Sequence, residues 1–150
     1  MTDFTEVLFS TFILNTTNDW GRWIHFQRLT AQQLLVWEYC NPELSASEVK
    51  ALGDKPVEPT YDDYQSGATN PSDLDAQNLT KYTVHYHLWE HEITRYNTLR
   101  KSLARMSAEI TYTVAPHYYF LIEDHDDAYG KLVALKRQLA PTATIAGGCK

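Results

Sequence analysis

Residues 85–92 read HYHLWEHE, so five of eight consecutive side chains are histidine or glutamate. Three of them, His87, Glu90 and His91, match H-x-x-E-H, a pattern in which two histidines hold zinc and the glutamate acts as a general base. Histidines four residues apart lie on the same face of a helix and can bind one ion. A zinc-dependent hydrolase is therefore one hypothesis that the sequence raises.

This histidine pair faces away from the predicted core of its helix. At about 100° per residue, His87 and His91 lie about 160° from Trp89 on either side. The apolar stripe lies within about 60° of Trp89; it comprises Tyr82, Tyr86, Ile93 and Tyr96. A catalytic zinc needs a third protein ligand, and no spacing places the candidates Glu109 and Glu123 near His87. The favoured interpretation is a solvated face with His87 and His91 as surface metal candidates, no catalytic residue and no cofactor.

Other candidate sites have structural interpretations. The run Asp124–Asp127 can ligate a metal, but it precedes a predicted helix, where carboxylates cap free N–H groups. Cys40 has no partner that would activate a thiol and is predicted to be a small buried residue. Four tryptophans can stack on bases or sugars, but their helical spacing favours the core; they are Trp20, Trp23, Trp37 and Trp89. Because the sequence also lacks G-x-S-x-G, C-x-x-C and a glycine-rich phosphate loop, we expect no enzymatic activity.

The longest helix is predicted in the second half of the chain and contains the histidine pair. Asp73 or Asp75 caps its start, and the helix continues to about residue 108 or beyond. Its apolar residues recur three, four or seven apart; they are Tyr82, Tyr86, Trp89, Ile93, Tyr96, Leu103 and Ile110. This helix is predicted to be the central element of a small all-α bundle.

Three further helices are predicted around it. The first runs from Trp20 to about Tyr39 and carries Gln27 on its polar face. A short helix covers residues 117–122. The last helix stops before Pro141, which cannot continue it; its apolar face comprises Tyr129, Leu132, Val133, Leu135 and Leu139.

The remaining segments are predicted to be non-helical. Residues 4–14, FTEVLFSTFIL, form a strand or an extended N-terminal arm. Residues 42–74 hold four of the six prolines and are predicted to be a long acidic loop, in which residues 45–53 can form a short helix. Residues 142–150 are predicted to be a flexible tail. The length fits a single domain over residues 1–150.

Composition and charge exclude several classes of protein. The chain has a formal net charge of −6, and from Pro42 to Leu79 eight acidic residues stand against two lysines. Nucleic-acid-binding domains usually present a basic surface; the acidic balance of this chain does not forbid such binding but removes the usual evidence for it. Two cysteines are too few for a disulfide framework, the N-terminus lacks a basic signal-peptide start, and no stretch has the roughly 18 apolar residues of a membrane span. We expect a cytoplasmic protein with no membrane contact and no small-molecule substrate.

The segment Leu14–Leu44 resembles the opening of the Gag polyprotein of copia-type LTR retrotransposons, particularly the fungal ones. That opening has L-N-x-x-N, then tryptophans, a helix, and W-x-Y or W-x-H before a proline-rich acidic gap. The matching residues here are Leu14, Asn15, Asn18, Trp20, Trp23, Trp37, Tyr39, Asn41 and Pro42. A second block, Trp89–Pro141, resembles the continuation, with Tyr129 and Leu132 where the family has an aromatic residue and a leucine.

The resemblance implies a capsid-like domain that self-associates into virus-like particles. Its implied core positions are Leu14, Asn15, Trp20, Trp23, Trp37, Trp89, Tyr129 and Leu132. RNA would be bound only through regions outside this chain, because the zinc knuckle of a full-length Gag is not in the sequence. Assembly is expected through the exposed side of helix 20–39 and through the last helix. The alternative is a non-enzymatic helical adaptor whose acidic segment 42–79 binds a basic partner.

Overall fold

The computed structural model describes residues 12–141, which are mostly helical and contain no β-strand. Within that range, four α-helices follow one another: α1 (Trp20–Gln33), α2 (Ala76–Tyr112), α3 (Tyr119–Ile122) and α4 (Ala128–Leu139). Short 3₁₀ turns lie at Thr17–Asp19, Trp37–Tyr39, Tyr61–Asp63, Pro71–Asp73 and Pro116–Tyr118. The predicted all-α class with one long helix is confirmed.

The chain divides into two compact units. The first unit comprises Met1–Ala51 with Lys101–Lys150, and the second comprises Leu52–Arg100. The predicted loop 42–74 therefore contributes residues to both units. The predicted tail 142–150 and most of the predicted arm 4–14 lie outside the described residues. The single domain expected over residues 1–150 stays a prediction.

Helix α2 starts where the sequence predicts. Asp75 Oδ1 accepts a hydrogen bond from the backbone N–H of Asn78 at 2.7 Å, so this carboxylate caps the first turn. In the second unit the predicted apolar stripe is half-buried rather than fully buried. Of the predicted stripe only Ile110, in the first unit, is fully buried, and Met106 beside it is a buried residue that the stripe did not include.

In the second unit, part of the predicted loop covers the aromatic residues of α2. The Tyr61 and Tyr82 rings lie 4.6 Å apart between centroids, and Tyr86 and Trp89 follow along the helix at 5.3 Å from each other. Trp89 Nε1 donates a hydrogen bond to Pro56 O at 3.4 Å. The loop is therefore ordered by packing on the stripe that the helical periodicity predicts.

The core of the first unit contains side chains from both the N-terminal and the C-terminal part of the described chain. Its largest fully buried apolar side chains come from α1, α2, α4 and the segment before α1; they include Leu14, Trp23, Met106, Ile110, Leu132 and Leu135. Leu14 N–H donates to Thr113 O at 2.7 Å, and Ala115 N–H donates to Leu14 O at 3.0 Å. This isolated parallel bridge holds Leu14 extended beside the segment that follows α2.

Helix α1 ends at Gln33, six residues before the predicted end at Tyr39. The chain reverses at Leu35, which has a positive φ of 62°. Leu35 N–H donates to Gln32 O at 3.1 Å, and Val36 N–H donates to Ala31 O at 2.8 Å, which is a Schellman motif. Val36 and Ala31 are both fully buried, so an apolar contact ends the helix although no glycine occupies the left-handed position.

The acidic residues of the predicted loop have local structural roles. Asp63 Oδ2 accepts from Thr60 N at 2.8 Å, and Asp73 Oδ2 accepts from Thr69 N at 2.9 Å. Both carboxylates cap 3₁₀ turns, which explains part of the acidic composition. The short helix predicted over residues 45–53 is wrong, because that stretch contains a turn at residues 46–48 and no helix.

Helix α4 begins at a cap that leaves little space for a side chain at residue 130. Asp127 Oδ1 accepts from Gly130 N at 2.9 Å, as the predicted capping role of the Asp124–Asp127 run requires. A Cβ added at Gly130 would lie 2.7 Å from this oxygen and 3.0 Å from His125 Nδ1. Both distances are shorter than normal contacts, so the cap and the imidazole occupy the space that a side chain would need.

Replacing Gly130 with alanine should therefore destabilise the protein by about 1–2 kcal/mol through overpacking, although alanine is normally the better helix former. Gly21→Ala is the matched control, because no atom lies within 4 Å of a Cβ at that position of α1. The control should stabilise the protein by about 0.5 kcal/mol. Urea unfolding of both variants measures the two effects, and equal effects would refute the proposed clash.

Candidate functional site

Four residues that carry the resemblance lie in the core of the first unit. Leu14, Trp20, Trp23 and Leu132 are all buried, and the rings of the two tryptophans lie 5.6 Å apart between centroids. Trp23 Nε1 donates a hydrogen bond to Thr113 Oγ1 at 2.9 Å. Their arrangement is that of a packed core and offers no exposed ring on which a base or sugar could stack.

The other motif residues lie at the margins of that core or outside it. Asn15 is exposed, and its carbonyl oxygen is 2.9 Å from His117 Nε2. Trp37 is half-buried, with the Arg28 guanidinium 5.8 Å from its ring centroid. Tyr129 donates its hydroxyl to Leu44 O at 2.7 Å. Trp89 belongs to the second unit, so the structure does not bring it into the core of the first.

The H-x-x-E-H residues lie on the solvent side of α2, as the helical wheel predicts. The His87 side chain is 70% exposed, and its Nδ1 is 3.1 Å from Glu90 Oε1. His91 is also exposed. Over residues 12–141, no group of three or more histidine, cysteine, aspartate or glutamate side chains is placed to hold a metal ion. One chain therefore supplies two candidate ligands on an open surface.

A buried polar network lies beneath Trp23 and was not predicted. Gln27, expected on a polar face, is fully buried, and its Nε2 donates to Thr113 Oγ1 at 3.2 Å. Thr113 Oγ1 in turn donates to Glu109 O at 2.9 Å. The expectation for Gln27 was wrong because its partner is 86 residues away in sequence, and helical periodicity carries no information about such contacts.

Glu109 is the buried acid nearest to this network. It is 8% exposed, and its Oε2 has no hydrogen-bond partner among the described residues. Burial raises the pKa of this carboxyl to about 7, although the positive charge of Arg105 acts in the opposite direction. The carboxyl of Glu109 therefore titrates close to neutral pH. From the sequence, Glu109 was considered only as a distant candidate ligand for a metal.

A cavity of about 430 Å³ lies beside α4 in the first unit. Its lining includes Lys131, whose Nζ donates to Ser107 Oγ at 2.8 Å and to Thr111 Oγ1 at 2.9 Å. Burial lowers the pKa of Lys131, and Asp126 and Asp127 oppose that shift. Because the ammonium donates to two hydroxyls of α2, its geometry is that of a structural tie between α4 and α2.

Cys40 has the predicted structural character. It is fully buried, its thiol lies 3.5 Å from Val36 O, and burial raises its pKa to about 12. A thiol that holds its proton at neutral pH is a poor nucleophile. The prediction of a small buried residue is confirmed.

The fold defines an all-α protein. None of the helices within residues 12–141 is long and apolar enough to cross a membrane. Comparisons with protein-family models, with curated proteins and with solved structures find no match for this chain.

Proposed function

We propose that this chain is a structural, non-enzymatic domain that self-associates, as the capsid part of a copia-type Gag polyprotein does when virus-like particles form. The proposal gives the chain no small-molecule substrate and no direct contact with RNA. It draws support from the burial of Leu14, Trp20, Trp23 and Leu132, because these spaced residues have a common structural role in the first unit. The observation that carries self-association is the position of Leu35.

Leu35 is both strained and exposed. Its φ is 62°, and 82% of the residue is accessible to solvent. The left-handed conformation costs a non-glycine residue about 1–2 kcal/mol, and an exposed leucine recovers none of this by burial. The Schellman hydrogen bonds hold the backbone in this conformation, but they do not explain why a large apolar side chain occupies the position. A contact with a second chain would bury the side chain and account for it.

The surroundings of Leu35 fit the assembly face expected from the sequence. On α1, Leu29 is also exposed, and the helix carries arginines and no acidic residue. Helix α4 likewise carries basic residues and no acid. Exposed acidic residues lie in the second unit; they include Asp54, Glu58, Asp62, Asp63, Asp73 and Asp75. Two copies can therefore meet through α1 and α4 without bringing carboxylates of these two helices together.

Self-association is tested on the full chain by light scattering and electron microscopy across concentration and salt, with EDTA present throughout. The proposal expects concentration-dependent assemblies. A chain that stays monomeric under every condition, alone and in a longer polyprotein, contradicts the proposal.

Replacing Leu35 with asparagine should change stability and association in opposite directions. Asparagine tolerates the left-handed conformation, so we expect the free energy of unfolding to rise by about 0.5–1 kcal/mol. We expect association to weaken about tenfold, because the exposed apolar side chain is lost. Urea unfolding and sedimentation equilibrium measure the two effects.

Val57→Asn is the control for that experiment. Val57 is exposed and lies in the second unit, outside the expected assembly face. Neither its unfolding free energy nor its association should change appreciably. A Leu35→Asn variant that associates as strongly as the original chain would remove the main support for the proposal.

A helical adaptor is the second candidate, and the exposed acidic residues of the second unit favour it. A basic partner would bind there with an affinity that falls as salt rises. Changing Asp54 and Glu58 to asparagine and glutamine leaves the aspartate caps of the turns intact. Binding of a polylysine probe that is unaffected by this change would argue against an adaptor.

A further inference from the structure

We infer that His87 and His91 are half of a binding site for a borderline divalent cation such as Zn²⁺, and that the same two histidines of a second copy complete it. The first observation is the orientation of His87. Its Nδ1 lies 3.1 Å from Glu90 Oε1, so with the proton on Nδ1 the ring donates to the carboxylate. The lone pair is then on Nε2, the atom available to a metal on this exposed side chain.

The contact with Glu90 is one that metal-binding histidines usually have. A carboxylate that accepts from the second ring nitrogen fixes the tautomer and the ring orientation, and makes the ligand more basic. His91 lies one helical turn after His87, at a distance from which both imidazoles can reach the same ion. Both side chains are exposed and need no rearrangement of the fold.

The number of ligands points to a second copy as the partner. Zinc prefers four ligands in tetrahedral geometry, and no third histidine, cysteine or carboxylate joins this pair in residues 12–141. A second copy related by a two-fold axis brings an identical pair to the same ion, because a two-fold contact uses the same surface twice. Two chains then supply four imidazoles.

The surface around the histidines suits such a contact. Val84 and Leu88 are 52% and 56% exposed on α2, and both lie within about 100° of His87 around the helix. A two-fold contact centred on the metal would bury these apolar side chains beside it. The same face of α2 therefore offers metal ligands and apolar area, whereas the aromatic stripe on the other side packs within its own unit.

The experiment titrates the untagged, full-length chain with ZnCl₂ and follows heat of binding and sedimentation velocity. We expect one zinc ion per two chains and a zinc-dependent dimer that EDTA dissociates. His87→Ala and His91→Ala should each weaken zinc binding at least about tenfold and abolish the dimer. Glu90→Gln should weaken zinc binding by about tenfold, because an amide holds the His87 ring in its orientation less strongly than a carboxylate does.

His25→Ala is the matched control, since His25 is an exposed histidine on α1 in the first unit. It should bind zinc and dimerise like the original chain, and helicity measured by circular dichroism should be unchanged in every variant. A monomeric one-to-one complex, or zinc binding that survives in both His87→Ala and His91→Ala, overturns the inference. Because self-assembly is assayed in EDTA, failure of the metal site and failure of the proposed function give different results.

Discussion

Replacing Thr113 with valine should lower the free energy of unfolding by about 2–4 kcal/mol, since two buried donors lose their acceptor. Thr113 Oγ1 accepts from Trp23 Nε1 at 2.9 Å and from Gln27 Nε2 at 3.2 Å. Trp23 and Gln27 are both fully buried, so water cannot replace the lost hydroxyl. Valine has nearly the same shape as threonine, and the loss therefore reports on hydrogen bonding rather than on a cavity.

The measurement is urea unfolding of the variant together with Trp23→Phe and the double variant. Phenylalanine removes the indole donor, so the double-mutant cycle isolates the contact between Trp23 and Thr113. Thr94→Val is the control, because Thr94 is exposed and its hydroxyl donates only to Glu90 O within its own helix. That control should change stability by less than about 0.5 kcal/mol. A similarly small change for Thr113→Val would contradict the role assigned to the network.

The contrast between local and distant contacts explains what the sequence could predict. Caps at Asp75 and Asp127 are encoded within three residues. Asp75 is one of the two candidates predicted for its helix, and Asp127 belongs to the acidic run that was predicted to cap the last helix. The position at which α1 ends depends on the burial of Val36, and the burial of Gln27 depends on its hydrogen bond to Thr113. Neither dependence is visible in a periodic pattern, because each requires knowing which element packs against the helix.

The candidate sites follow the same division. The exposure of His87 and His91 follows from their angle to Trp89 on a single helix, so the sequence sufficed. The hydrogen bond between His87 and Glu90 is also local, with a spacing of three residues, but side-chain orientation is not encoded by spacing alone. Leu35 follows Ala31 and Leu34 at helical spacing and was therefore expected on the apolar face of the first helix. That expectation is wrong, because α1 ends at Gln33 and leaves Leu35 82% exposed. The resemblance to Gag stays a prediction.

Stability should fall as pH rises from about 4.5 to about 7, and Glu109 should be responsible for much of the change. Burial raises the pKa of its carboxyl from 4.5 to about 7 in the folded chain. Between those values the folded protein holds a proton that the unfolded protein has released. The free energy of unfolding therefore decreases with rising pH, and the contribution present below pH 4.5 is lost as pH passes the folded pKa.

Replacing Glu109 with glutamine should remove this dependence. At pH 8 the variant should be more stable than the original chain by about 2–3 kcal/mol, because each pKa unit corresponds to about 1.4 kcal/mol. At pH 4.5 the two proteins should differ little, since the native carboxyl is then neutral, like an amide. Urea unfolding at pH 4.5, 6 and 8 measures the difference, and groups common to both proteins cancel.

Glu38→Gln is the matched control for this pH series. Glu38 is an exposed glutamate whose Oε2 lies 3.0 Å from Lys50 Nζ, and an exposed pair of this kind contributes little to stability. The difference between this variant and the original chain should stay nearly constant with pH. If the stability difference for Glu109→Gln is also constant with pH, the pKa of Glu109 is not raised by folding. The carboxyl is then ionised in the folded protein at neutral pH, which contradicts the prediction.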